Sequence, residues 1–204
     1  ESAKVPYFGG GRNRKEAHRP LILERNGLRV ALLGYNDVIP PSFEAGEDRP
    51  GTAWLRPADV IAGIKAARDV DHADLVIPMT HWGLENKPHR EEYQRVLARR
   101  MIDAGADAVI GGHTHTAVPF RRAGGAMFTQ AAYHGIALGD LRLSFSNETE
   151  KLSGVTASLV PVGPGQPWSA MVSNAVAPVL AQADALMTGV VCTIDCVNEK
   201  ESTE

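Results

Sequence analysis

Leu75-Val76-Ile77-Pro78-Met79-Thr80 leads into His81-Trp82-Gly83-Leu84-Glu85, and Ala108-Val109-Ile110-Gly111 leads into Gly112-His113-Thr114-His115. Each histidine cluster follows a short apolar run of strand length. Between them, the stretch from Pro88 to about Ala104 has helical periodicity. The order is strand, histidine, helix, strand, paired histidines. A right-handed crossover between neighbouring parallel strands brings both carboxyl ends to one edge of the sheet. Open α/β sheets bind ligands at that edge. His81, His113 and His115 are therefore expected to converge, and imidazole is a common ligand for zinc-, manganese- and iron-type cations.

In an extended segment, residues two apart point the same way. His113 and His115 are thus expected to reach one site while Thr114 points away. Gly111 and Gly112 remove side chains where a bound substrate must approach the backbone. Glu85 is a candidate to accept from a ligand histidine or to hold a water. Trp82 has two readings, a ring stacked on substrate or a packed core side chain. His134, after Tyr133 near a strand end, either lines the pocket or is an exposed turn histidine. Asp37, at a third strand end, either faces the same edge or forms a turn. No catalytic acid or base is assigned, and His18, His72 and His89 receive no role.

The chain has 204 residues, 44% hydrophobic and 22% charged, which suits a globular domain with a tail. A net charge of −3 gives no electrostatic case for nucleic acid or an anionic membrane surface. No apolar run is expected to span a bilayer. The chain opens at Glu1 without a signal-peptide pattern and is expected to be a fragment or processed form, so location is not readable from targeting signals. Cys192 and Cys196 are expected to be free or incidental thiols; a disulfide between them is geometrically possible.

Tyr7–Arg14 reads as a glycine-rich loop. Asn26-Gly27 between apolar runs predicts a hairpin with a type I′ turn, and Leu28–Leu33 is apolar enough for a strand covered on both faces. Pro57 opens a helix to about Asp69, with Val60, Ile61, Ile64 and Ala67 on one face. The next helix is expected to bury Tyr93, Val96, Leu97 and Met101 and to solvate Arg95, Arg99 and Arg100. Gly105 follows its end. After the histidine pair, Ala126–Gln130, Leu138–Phe145 and Leu152–Val162 read as consecutive, antiparallel strands. Gly163–Pro167 reads as a linker and Ser173–Leu186 as a helix before a polar tail. Two regions result, 1–162 and 163–204.

Tyr7-Phe8-Gly9-Gly10-Gly11-Arg12-Asn13, Glu16-Ala17, Arg19–Glu24, Asn26–Ala31 and Gly34-Tyr35 resemble the middle of the CapA family of capsule or poly-γ-glutamate synthesis proteins. His81–Glu85, Gln94, Leu97-Ala98 and Ile102–Asp107 continue the resemblance. Gly112-His113-Thr114-His115 looks like the last metal motif of the calcineurin-like metallophosphoesterase superfamily, to which CapA-like proteins belong. The resemblance implies a partial α/β/β/α sandwich, with 1–162 its C-terminal part. It implies His81, His113 and His115 as ligands of a centre holding two divalent metals of manganese, iron or zinc type in the full-length protein. The partner implied is a phosphorylated small molecule or polymer precursor, at the cell envelope.

Two departures shape the expectation. CapA-like proteins usually carry a proline inside the final histidine motif, whereas Gly111–Thr116, Phe128–Gly135 and Leu138–Leu141 look more like the 5′-nucleotidase branch. The superfamily's upstream Asp-x-His, Gly-Asp and Gly-Asn-His motifs do not occur before His81. The N-terminal metal-motif portion is thus expected to be absent, with weak or single-metal binding and little activity in this piece alone. The function implied is metal-dependent phosphoester hydrolysis linked to polymer synthesis. The alternatives are a 5′-nucleotidase-like phosphatase and a non-catalytic accessory of polymer synthesis or export.

Overall fold

Asn26 and Gly27 both have positive φ, 51° and 78°, and the type I′ turn they form joins β2 (Leu21–Arg25) to β3 (Leu28–Asn36) in antiparallel register. The computed structural model describes residues 5–188, apart from 39, 87–91, 124–125, 147, 150, 164 and 166–168. Cys192, Cys196, His89 and the expected helix start at Pro88 lie outside the described residues. The chain divides into two units, Glu1–Val162 and Gly163–Glu204.

In the first unit, β3 pairs in parallel with β5 (Leu75–Trp82), and β5 with β6 (Val109–His113). Helix α2 (Pro57–Asp69) precedes β5, and α3 (Glu92–Asp103) links β5 to β6. Pro57 occupies the first turn of α2, where its missing N–H has no helical partner to lose. Val60, Ile64 and Ala67 are buried, and α2 packs on β3 and β5 while α3 packs on β6 and β8. Ala31, Leu33, Val76 and Val109 complete the core beneath them.

α3 is turned from the expected face. It buries Gln94, Leu97, Ala98 and Met101, while Tyr93 and Val96 remain exposed. The buried residues form an i, i+3, i+4, i+7 stripe, and within it the Gln94 carboxamide donates to the Trp82 carbonyl at 3.5 Å. Arg95 and Arg99 pair with Glu92 and Asp103 on the exposed side.

The strands after the histidine pair also differ from expectation. β7 (Ala117–Ala123) was not read from the sequence, and β8 (Ala126–Ala131) joins β6 in parallel. The six-stranded order is β2-β3-β5-β6-β8-β7. β7 carries Pro119 and sits at the sheet edge, with a register shift between Val118 and Arg121. A proline is tolerated there because an edge strand need not donate every N–H. Only β9 (Ala137–Ser146) and β10 (Lys151–Pro161) form the anticipated antiparallel pair. The Tyr7–Arg14 stretch is more ordered than a loop: β1 (Gly10–Gly11) pairs with β4 (Gly51–Thr52). Asn13 then caps α1 (Arg14–Ala17) by accepting from the Glu16 N–H at 2.9 Å.

The second unit contains α4 (Ala170–Thr188), exposed along its described length and carrying Pro178 internally. It is the one helix among the described residues that is long and apolar enough, by length and composition, to cross a membrane. Ser173, Asn174, Gln182 and Asp184 interrupt the apolar run in sequence; the continuous helix restores a span of roughly 28 Å.

Candidate functional site

β3, β5 and β6 end on one edge of the sheet. The register sets Asn36 beside His81, His81 beside Gly112 and Trp82 beside His113. β5 continues through His81 and Trp82 instead of stopping at Met79, and the Asp37 N–H extends the ladder by donating to the His81 carbonyl at 3.1 Å. Alternation along β5 buries Thr80 and Trp82 and leaves His81 open. A groove of about 280 Å³ beside His81 is lined by Phe8, Gly9, Gly34, Asn36 and Gly112, among others. A second cavity, of about 680 Å³, lies elsewhere, against Arg14, His18, Tyr35 and Asp59, and holds none of the edge histidines.

The His81 and His113 rings lie against each other, tilted by 59°, with centroids 4.9 Å apart. Glu85 lies beyond, its Oε1 3.9 Å from His113 Nδ1. Partial burial holds the His81 pKa below its ordinary value, reinforced by His113 and His115 and opposed by Glu85. The shift favours the neutral imidazole, the form that ligates a metal.

His113 and His115 do not lie on an extended segment. Their φ values are 81° and 57°, in the left-handed region that an L-residue enters at a cost. The chain leaves β6 in a tight turn. His115 faces Tyr133 and His134, with centroid distances of 5.3 and 6.0 Å. His134 is exposed and itself left-handed, φ 48°. Thr114 points inward as expected, and its hydroxyl accepts from Gln130 Nε2 at 2.7 Å.

Trp82 belongs to the core. It is 1% exposed, edge-on to Tyr93 and tilted against Phe128, so its ring is closed to a substrate. Burial of an indole on the inward side of β5 stabilises by area; its Nε1 has no hydrogen-bond partner among the described residues. Asp37 sits at the edge and accepts from the Tyr93 hydroxyl at 3.2 Å.

The donor set suits a borderline divalent cation at His81 and His113, which are close, nitrogen-bearing and beside a glycine-lined groove. His115 is turned toward Tyr133 and His134. Among the described residues, no three of His, Cys, Asp or Glu converge on one point that could hold a metal. The described residues thus supply two adjacent imidazoles and a third on the adjoining turn. The sequence assigns Gln94, Gln130 and Asn36 no role at the site. The available signal was a glutamine inside the apolar run of β8, where a carboxamide is costly unless bonded.

Residues 1–129 match the family described as bacterial capsule synthesis protein PGA_cap. Over 124 residues the chain is 37% identical to the capsule biosynthesis protein CapA of Bacillus anthracis, covering 59% of this chain and 30% of that one. Among solved structures, the calcineurin-like phosphoesterase YfkN of Bacillus subtilis superposes with a TM-score of 0.63, at 19% identity, over 89% of this chain and 63% of that one. A Staphylococcus aureus protein described as a 5′-nucleotidase gives a TM-score of 0.61 at 17% identity, over 85% and 36% of the two chains. These two likenesses establish the fold. The chain spans about 30% of the length of the curated relatives first matched.

Proposed function

The chain belongs to the bacterial capsule synthesis protein family PGA_cap, and from that premise we propose that the full-length protein is a metal-dependent phosphoester hydrolase. His81, His113 and His115 would be among its ligands. Its substrate would be a phosphorylated small molecule or polymer precursor, and its place the cell envelope. The observation that carries the reading is the adjacent pair His81 and His113, 4.9 Å apart on adjoining parallel strands.

Divalent cations of manganese, iron or zinc type, two in the full-length protein, would supply hydroxide at neutral pH and charge stabilisation for phosphoester hydrolysis. His81 and His113 would hold a cation through neutral ring nitrogens. Glu85, its Oε1 3.9 Å from His113 Nδ1, would orient that ring on closing to hydrogen-bond distance and leave Nε2 to ligate. Gly112 keeps the approach to His81 open, since it adds no side chain beside that ring. His115 would complete the set by swinging from Tyr133, and His134 would line the substrate side.

One observation favours a second reading, a non-catalytic accessory of polymer synthesis or export: a Mycobacterium tuberculosis relative, 28% identical over 179 residues, is described as a probable polyglutamine synthesis accessory protein. The test is turnover by the full-length protein of an aryl phosphate and of a nucleoside monophosphate, with and without manganese. The hydrolase reading expects manganese-dependent turnover that falls about 100-fold or more in His81→Ala and His113→Ala. Preference for the nucleotide would indicate the 5′-nucleotidase-like alternative. Absence of metal-dependent turnover would overturn catalysis and leave the accessory role.

A further inference from the structure

We propose that Gln130 is a positioning residue, whose buried carboxamide sets the direction of the His113 and His115 imidazoles. Gln130 lies on β8 and is 2% exposed. Its Nε2 donates to Thr114 Oγ1 at 2.7 Å and to the Thr116 carbonyl at 3.0 Å. Those two acceptors bracket His115. The other end of the carboxamide covers the strand leading into His113: a Cβ placed on Gly111 would come within 2.8 Å of Gln130 Oε1. One side chain therefore bonds on either side of His115 and lies against the strand that leads into His113.

The grip is needed. His113 and His115 both hold left-handed φ values, and non-glycine residues persist there only where their surroundings over-determine them. The Thr114 carbonyl accepts from the Asn86 N–H at 3.0 Å, which ties the first histidine loop to the second. A carboxamide between Phe128 and the turn is a poorer core residue than leucine unless its bonds serve something. Here they serve the turn.

The test compares Gln130→Leu, Thr114→Val and Thr114→Ser in the full chain. It reads histidine ring proton resonances by NMR, Co²⁺ affinity by visible absorption, and the thermal midpoint. Gln130→Leu and Thr114→Val are expected to shift the His113 and His115 resonances while leaving those of His18 and His72 in place. They are also expected to weaken Co²⁺ binding about 10- to 100-fold, as loss of an outer-shell partner does. Thr114→Ser, which keeps the hydroxyl, is expected to match wild type in both. Unchanged His113 and His115 resonances in folded Gln130→Leu would overturn the inference. If Gln130→Leu does not fold, near-isosteric Thr114→Val decides in the same way. The affinity arm rests on the metal reading above, and the resonance arm does not. Wild-type protein that takes up no Co²⁺ would sink the metal reading alone, and the resonances would still judge Gln130.

Discussion

His81 stands beside Gly112 across the β5–β6 ladder, and a Cβ on Gly112 would lie 3.2 Å from His81 Nδ1. That separation is tight but negotiable for a side chain that can rotate. Gly112→Ala is expected to displace the imidazole, lowering metal affinity about tenfold with stability changed by less than about 1 kcal/mol. Gly111→Ala is different in kind. Its Cβ would land on the Phe128 ring edge in the core, and overpacking there should cost about 1–3 kcal/mol. Urea denaturation and Co²⁺ titration of both variants separate the two effects; an identical profile for the pair would contradict this assignment.

Trp82 is a packing residue whose Nε1–H has no partner among the described residues. Trp82→Phe therefore gives up shape but no hydrogen bond and should cost about 1.5 kcal/mol or less. Trp82→Ala should cost about 3–5 kcal/mol through the cavity it leaves. In the full-length protein KM should be unchanged in Trp82→Phe. A tenfold rise in KM without loss of stability would return the indole to the substrate.

Arg68 fastens the end of α2 to the neighbouring strands. Its guanidinium donates to the carbonyls of Ala73, Asp74 and Gly105 and pairs with Asp107, which also accepts from the Val76 N–H at 2.7 Å. Burial pushes the Asp107 carboxyl above its ordinary pKa, opposed by the Val76 N–H and by Arg68. Arg68→Ala should destabilise by about 2–4 kcal/mol, because carbonyls and a carboxylate lose their partner. An acid whose folded pKa is raised stabilises below its unfolded value and loses that contribution as pH rises through the folded one. Without Arg68 the pKa climbs further, so the variant's stability should fall more steeply than wild type as pH rises from about 4 toward 7. Parallel pH profiles of denaturation midpoint would refute this.

Glu16 shows the opposite sign. Its carboxylate accepts from Arg12 Nε, the Arg12 N–H and the Tyr7 hydroxyl, and these bonds pull its pKa down to about 2. A depressed acid stabilises above its unfolded pKa of about 4.3 and loses that contribution as pH falls through the folded value. The side-chain carboxyl resonance of Glu16 should titrate near 2, and Glu16→Gln should lack the corresponding loss of stability on acidification. A midpoint near 4 would show that the Arg12 pairing does not persist in solution.

Much of the fold was legible. Asn26-Gly27 specifies its turn because few residues take two consecutive positive φ values, and Pro57 marks a helix start because its own φ is already helical. β7 was not legible: Pro119 and the arginines after it obey no alternation, and the strand exists because β8 offers it an edge. The face of α3 was misjudged because apolar periodicity counted Tyr93 and Val96, whereas the buried stripe runs through Gln94.

At the edge, the adjacency of His81 and His113 follows from strand order and crossover handedness, which the chain's own pattern encodes. The direction of His115 does not, because it depends on two left-handed residues held by a glutamine sixteen positions away. Local sequence determined which strands form, where they turn and which histidines reach the rim, since these depend on periodicity and on the φ preferences of single residues. Tertiary structure alone decided how β8 pairs, which way α3 faces and where the third imidazole points. Each of those is set by a contact between groups far apart in the chain, whose energy no local pattern contains.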